Sequence, residues 1–75
     1  MRNKIPDLSR REWEELIDEW IFNQRDRAIL KRRLFDGIVY EVLAEEFDLS
    51  VRQTKTICYK CMDRLIKHLD RIKNP

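Results

Sequence analysis

Apolar residues recur every three or four positions along most of the chain, which is the spacing of amphipathic α-helices. At the first such stretch, Ser9 followed by Glu12 has the pattern of a capping box, and Leu8 before it is placed to pack on Trp13. This pattern predicts a first helix over about residues 9–22. Its inner face, within about 140° of a helical wheel, consists of Trp13, Leu16, Ile17, Trp20 and Ile21.

Polar caps and breaks divide the rest of the chain into three more helices, predicted over about residues 24–36, 40–47 and 51–72. Asn23, with an aspartate three positions later, marks the start of the second helix. Gly37 ends that helix, at a place where a left-handed residue is least costly.

The starts of the third and fourth helices differ in quality. Val39 stands at the cap position of the third helix, and valine caps poorly. Ser50, with Gln53 three positions later, is a second capping box and places the start of the fourth helix at Val51. About 22 residues at 1.5 Å each give this helix a length of roughly 33 Å. Its apolar stripe consists of Thr54, Ile57, Cys58, Cys61, Leu65, Leu69 and Ile72.

The composition agrees with a single small helical domain spanning residues 1–75. The chain contains one glycine, two prolines and 40% charged residues, while two Trp, three Phe and two Tyr supply a folded core. No apolar run approaches the roughly 20 residues that span a bilayer, so we expect a cytoplasmic protein with no membrane partner. We expect residues 1–7 and 74–75 to be loose.

The sign of the charge alternates from segment to segment. Residues 9–22 carry two basic and five acidic groups (−3), and residues 25–36 carry five and two (+3). Residues 39–48 carry four acidic groups and no basic one (−4), and residues 50–75 carry seven basic and two acidic groups (+5). Attraction between neighbouring helices gives this pattern as readily as a nucleic-acid partner does, so the distribution alone identifies neither.

A short third helix, a turn of about three residues and a fourth helix with exposed polar donors form the pattern of a helix-turn-helix. Ala44 is predicted on the inner face, where two steeply crossing helices leave room for a small side chain. Asp48 occupies the turn, where glycine is usual and Asp tolerates the left-handed region. Ile57 is predicted to point inward, whereas Thr54 stands where Val or Ile is usual and offers its methyl group alone. The predicted fold class is all-α, with a trihelical helix-turn-helix core, an extra N-terminal helix and a long C-terminal recognition helix.

The stretch "NQRDRAILKRRLFDGIVYEVLAEEFDLSVRQTKTICYKCMDRL", about residues 23–65, resembles region four of bacterial sigma factors. It is also similar to small sigma-like regulators of phages and mobile elements in Gram-positive bacteria. The resemblance covers more than half of the chain and implies transcription regulation through double-stranded DNA. The chain departs from the family in Val39, which replaces a capping Ser or Thr, and in Thr54. It also shows no other sigma region, so we expect that it is not a complete sigma factor.

The resemblance also implies which residues contact DNA. The positions after the turn carry over to Arg52, Gln53, Lys55 and Thr56, and the backbone contacts of the preceding helices to Arg32, Arg33 and Tyr40. Side-chain chemistry agrees, because an Arg fork matches guanine O6 and N7, and Gln matches adenine N6 and N7. Ser50 and the first-turn N–H groups favour a phosphate oxygen, and Lys55 and Lys60 are placed to neutralise flanking phosphates. The predicted DNA-binding residues are Ser50, Val51, Arg52, Gln53, Lys55, Thr56, Tyr59 and Lys60.

Other chemistries find little support in the sequence. Cys58 and Cys61 have the spacing of a redox pair, but such a pair is expected at a helix N-terminus, and these cysteines lie two turns inside. Zinc requires about four ligands, and the only histidine is His68. We therefore expect reduced core cysteines, no metal and no cofactor. The sequence has no glycine-rich phosphate loop or nucleophile–histidine pattern, so we expect no catalytic residues and no enzyme.

The role of the first helix stays open at this stage. Its tryptophans either complete the core or, together with Phe22, form a docking face for RNA polymerase or for a second copy of the chain. Apolar Ile66, Leu69 and Ile72 of the fourth helix need cover from the first helix or from a homodimer. A protein-docking adaptor without DNA binding is therefore the alternative function.

Overall fold

The protein folds into four α-helices, which confirms the predicted all-α class. The computed structural model describes the backbone of residues 8–73 and the side chains of residues 8–69, so the ends predicted to be loose lie outside it. Each helix begins and ends within two residues of its predicted bounds. The helices are α1 (Arg10–Trp20), α2 (Gln24–Asp36), α3 (Tyr40–Glu46) and α4 (Val51–Lys73).

Side-chain caps fix the starts of the first two helices. Ser9 Oγ accepts the Glu12 N–H at 3.2 Å, and Glu12 Oε1 accepts the Ser9 N–H at 2.9 Å, which completes the predicted capping box. Asn23 Oδ1 accepts the Asp26 N–H at 3.0 Å. Gly37 ends α2 at a φ of 63°, a conformation that glycine adopts without a steric penalty.

The third helix starts without such a cap. Val39 makes no side-chain hydrogen bond there, as the sequence predicts. Its carbonyl oxygen accepts the N–H groups of Val42 and Leu43, both at 3.1 Å. Packing against α2 and α4 must therefore supply most of the stability of this seven-residue helix, because so short a helix is marginal in isolation.

The core has two parts, joined along α4. The larger part lies between α1, α2 and α4, and the smaller part lies between α2, α3 and α4. Ile57 packs against both parts. The larger part contains Trp13, Leu16, Ile17, Ile21, Leu30, Cys61 and Leu65, and the smaller contains Ile29, Leu43 and Cys58.

Helix α1 covers the inner side of the second half of α4. Leu69 packs against the larger core cluster, and Ile66 is half-buried, whereas the side chain of Ile72 lies outside the described residues. The first helix contributes to the core, which is one of the two roles that the sequence left open, since three of its apolar residues are buried. These residues are Trp13, Leu16 and Ile17.

Both cysteines belong to the core, as predicted. Cys58 and Cys61 are buried, reduced thiols. Burial raises the pKa of the Cys61 thiol to about 11, and it raises the pKa of Cys58 as well. A thiol with a raised pKa is a poor nucleophile near neutral pH, which agrees with a packing role.

Thr54 is accommodated in a way that the sequence did not predict. Its side chain is fully buried, and its hydroxyl donates to the carbonyl oxygen of Ser50 at 2.9 Å. The position that usually takes Val or Ile thus accepts Thr, because the hydroxyl has a partner one turn back while the methyl group remains available for packing.

The environment of Thr54 predicts a difference between two substitutions. The Ser50 carbonyl also accepts the backbone N–H of Thr54 at 3.0 Å, so Thr54→Val leaves no buried acceptor unpaired. We expect Thr54→Val to match or exceed the wild-type free energy of unfolding. Thr54→Ser keeps the hydroxyl but removes a buried methyl group, so it should cost about 1 kcal/mol. Urea unfolding of both variants measures this, and a Val variant less stable than the Ser variant would contradict the argument.

Candidate nucleic-acid interface

A tight turn separates α3 from α4, so residues 40–60 do not form one continuous rod. Asp48 has a φ of 57°, in the left-handed region predicted for it. The Leu49 N–H donates to the Ala44 carbonyl oxygen at 2.8 Å and closes the turn. Ala44 is buried, as predicted for a position where the helices approach closely. The helix-turn-helix geometry that the sequence predicted is present.

The first turn of α4 is held by a capping box at Ser50. Ser50 Oγ accepts the Gln53 N–H at 3.0 Å, and Gln53 Oε1 accepts the Ser50 N–H at 3.0 Å. This reciprocal pair fixes where α4 begins. The same pair engages the amide oxygen of Gln53, which the sequence predicts to contact a DNA base.

Six of the predicted DNA-binding side chains are exposed on one side of the first three turns of α4, within about 160° of the helical wheel. Val51 is half-buried at the edge of this surface, and Ser50 is exposed at its start. No carboxylate within residues 8–69 forms an ion pair with Arg52 or Lys60. We call this surface the recognition face, and it consists of Arg52, Gln53, Lys55, Thr56, Tyr59 and Lys60.

A cluster of aromatic rings and cations extends the recognition face onto α2 and α3. The Arg33 guanidinium lies 4.3 Å from the centre of the Tyr40 ring, and Lys55 Nζ lies 5.7 Å from the same centre. Tyr59 meets Tyr40 edge-on, with ring centroids 6.3 Å apart. Partial burial is the largest influence on the Tyr40 hydroxyl and raises its pKa. These four residues, which we call the Tyr40 cluster, bring two cations from different helices to one surface.

Arg33 is held in this cluster by a hydrogen bond. Its Nη1 donates to the Ile38 carbonyl oxygen at 3.0 Å, in the segment between α2 and α3. The guanidinium has further N–H groups that this bond does not use. Arg33 and Tyr40, both predicted as contacts to the DNA backbone, therefore lie together beside Lys55.

Arg32, the third residue predicted to contact the DNA backbone, is engaged elsewhere. Its guanidinium binds Glu46 through two bonds of 3.2 and 2.5 Å, and Asp36 at 2.8 Å. The bond to Glu46 is the first cause of the raised pKa of Arg32, and the same contact lowers the pKa of the Glu46 carboxyl. Arg32 joins α2 to α3, and the two carboxylates beside its guanidinium offset the positive charge that would attract a phosphate.

Ion pairs between helices explain part of the alternating charge pattern. Asp18 of α1 binds Lys31 at 2.8 Å and Arg27 at 3.6 Å, and both are on α2. Together with the Arg32–Glu46 pair, these contacts attract α2 to both of its acidic neighbours. Helix α4 differs, because its single ion pair within residues 51–69 joins Asp63 to Lys67 of the same helix. The positive charge of α4 is therefore not neutralised by the acidic helices.

A groove that the sequence did not predict lies beside the second half of α4. It has a volume of about 890 Å³ and lies between the end of α1 and the exposed side of α4. Phe22, at its edge, is 70% exposed. The Trp20 and His68 rings are in contact, with centroids 3.7 Å apart and planes tilted by 41°. The buried Trp20 indole N–H has no hydrogen-bond partner among the described residues. Lys60 also lines the groove, so it connects this feature to the recognition face.

No protein-family model, curated protein or solved structure matches the chain. None of the described helices is both long and apolar enough to cross a membrane. In the same part of the chain, no three His, Cys, Asp or Glu residues are grouped in a way that could hold a metal ion.

The Arg32–Glu46 pair predicts a pH-dependent contribution to stability. The pKa of Glu46 is lowered in the folded state, so its stabilising effect is present above the ordinary carboxyl pKa and is lost as the pH falls through the folded value. Glu46→Gln should therefore be less stable than wild type at pH 7. At pH 3 the difference should shrink towards zero.

Urea unfolding at both pH values measures this effect. Glu45→Gln is the matched control, since the exposed Glu45 forms no ion pair with any described residue and should change stability little at either pH. A Glu46→Gln deficit of equal size at pH 7 and pH 3 would contradict the ion-pair explanation.

Proposed function

We propose that the protein binds double-stranded DNA through the start of α4 and regulates transcription. The observation that carries this proposal is the recognition face, a set of exposed donors and cations placed directly after a helix-turn-helix turn. In such motifs the second helix enters the major groove with its N-terminal residues towards the bases. The resemblance to sigma region four supports the same assignment for about residues 23–65.

The charge distribution supports an anionic partner. Ion pairs between helices join acidic groups of α1 and α3 to basic groups of α2. Arg52 and Lys60 of α4, by contrast, form no ion pair with a described carboxylate. Duplex DNA concentrates phosphates, and cations that contact them release counterions into solution. A surface on which Arg52 and Lys60 form no ion pair with a described carboxylate is suited to that exchange.

The residues of the interface divide into two roles. Arg52, exposed in the first turn, has a guanidinium fork that matches the acceptors of guanine in the major groove. The Tyr40 cluster and Lys60 flank it and are suited to the DNA backbone, because Arg and Lys donate to phosphate oxygens without reading sequence. Arg32 has the weakest case for a phosphate contact, since Glu46 and Asp36 occupy its guanidinium.

The wider biological setting is part of the same proposal. The resemblance to small sigma-like regulators extends the proposal to a regulator of a phage or mobile element, acting in the bacterial cytoplasm. No catalytic step is proposed, because DNA recognition by this surface requires no reacting group, metal or cofactor.

Retardation of pooled random duplexes at low salt tests DNA binding directly. We expect a shifted complex, from which repeated selection enriches a preferred site. The complex should weaken steeply as salt rises, because phosphate contacts dominate its affinity. Failure to retard any duplex in the pool would contradict the proposed function.

Two substitutions separate base reading from phosphate binding. Arg52→Ala should weaken binding to the selected site by about 1–3 kcal/mol and relax the preference at one base pair. Lys60→Ala should weaken binding to all duplexes alike and reduce the slope of log K against log salt by about one. Titrations at several salt concentrations measure both effects. Equal losses on selected and random duplexes for Arg52→Ala would contradict its assigned role.

The groove beside Phe22 favours a second candidate function, docking on a protein. At 70% exposed, Phe22 is the most exposed large apolar side chain of the described residues, and it lines the groove. RNA polymerase is the partner suggested by the resemblance, and a second copy of the chain is the other proposed occupant. Either partner is compatible with DNA binding, because most of the groove lies away from the start of α4.

Binding of purified RNA polymerase core enzyme without DNA tests this second candidate. Phe22→Ala should weaken binding several-fold, because truncation removes the most exposed aromatic group at the groove. Val42→Ala is the control, since Val42 is also exposed but lies on α3. Equal affinities of the two variants and wild type for the polymerase would exclude the groove as its docking site. Sedimentation of the free protein at low and high concentration tests the homodimer, and a monomer throughout would remove it.

A further inference from the structure

From the hydrogen bonds at the start of α4, we infer that Gln53 is a positioning residue and that base reading falls to the pair Arg52 and Thr56. This inference rests on the proposed DNA-binding function and deepens it. It assigns a guanine contact to the target and removes the adenine contact that the sequence suggested for Gln53.

Gln53 has its amide oxygen, one of the two atoms that adenine recognition requires, held at the helix cap. A glutamine that reads adenine donates from its amide nitrogen to N7 and accepts from N6 with its amide oxygen. In this structure the oxygen already accepts the Ser50 N–H at 3.0 Å. This bond directs the amide towards the start of the helix, so turning it to an adenine edge would break one half of the capping box that fixes the turn.

Other side chains near the start of α4 are also committed. Thr54 is buried, and its hydroxyl donates to the Ser50 carbonyl oxygen. The Ser50 hydroxyl oxygen accepts the Gln53 N–H. The ammonium group of Lys55 lies 5.7 Å from the Tyr40 ring, in a cluster suited to the backbone rather than to the base edges.

Arg52 and Thr56 are the pair left free to read bases. Both are exposed, and neither forms a side-chain hydrogen bond with a described residue. Their four-residue spacing places their Cβ atoms about 5–6 Å apart on one side of the helix. The Arg52 fork matches guanine O6 and N7, and the Thr56 methyl group matches the C5 methyl of thymine. The expected target therefore contains a guanine with a thymine one or two base pairs away.

Site selection from a random duplex library, carried out with wild type and three variants, tests the inference. Gln53→Glu keeps an oxygen for the Ser50 N–H but removes the amide donor, and Gln53→Ala removes both. Each should prefer the same bases as wild type, although both should bind more weakly, the first through added negative charge and the second through a looser helix start. Arg52→Lys keeps the charge but loses the fork, so discrimination for guanine at one position should fall roughly ten- to hundredfold.

Thermal unfolding of the same variants supplies a readout that is independent of DNA. Gln53→Ala should unfold at a lower temperature than wild type, and Gln53→Glu should recover most of the loss because its carboxylate restores the cap. An adenine preference that is present in wild type and lost in both Gln53 variants would overturn the inference while leaving the DNA-binding proposal intact. Enrichment of no duplex by wild type would overturn both.

Discussion

The position of α4 depends on the reversal of the chain between Glu46 and Val51. Asp48 enters the left-handed region there, and the Leu49 N–H returns to the carbonyl of Ala44 at 2.8 Å. Such a turn brings two helices together closely, and the small side chain of Ala44 makes that approach sterically feasible. Because the other three helices all pack against α4, the same turn decides which side of α4 is buried and which remains exposed.

The helices and the turn were predictable because their causes are local. The capping boxes at Ser9 and Ser50 and the break at Gly37 each involve residues only a few positions apart, so their pattern is visible in the sequence. The core stripe of α4 follows from helical periodicity in the same way. Thr54 was the exception, since its hydroxyl donates to the Ser50 carbonyl oxygen, a bond that depends on the side-chain rotamer and not on the residue pattern.

The contacts that decide the roles of charged residues were not predictable, because they join distant segments. Arg32 looked available for DNA, but Glu46, fourteen positions away, occupies its guanidinium. The groove at Phe22 depends in turn on how α1 lies against α4. Gln53 is a different case, since the sequence indicated both its capping role and its base-reading role. The geometry adds that one amide oxygen serves the cap.

The two roles of Gln53 bear on how the proposed interface would contact DNA. A reading helix is effective when its side chains are placed before binding, because ordering them at the moment of contact costs conformational entropy. The capping box and the Thr54 hydrogen bond fix the first turn of α4 in the free protein. Fewer side chains then remain free, so in our proposal sequence specificity rests on Arg52 and Thr56. In the same proposal, affinity depends on cations that no acidic helix neutralises, and the ion pairs between α1, α2 and α3 leave the charge of α4 available for phosphates.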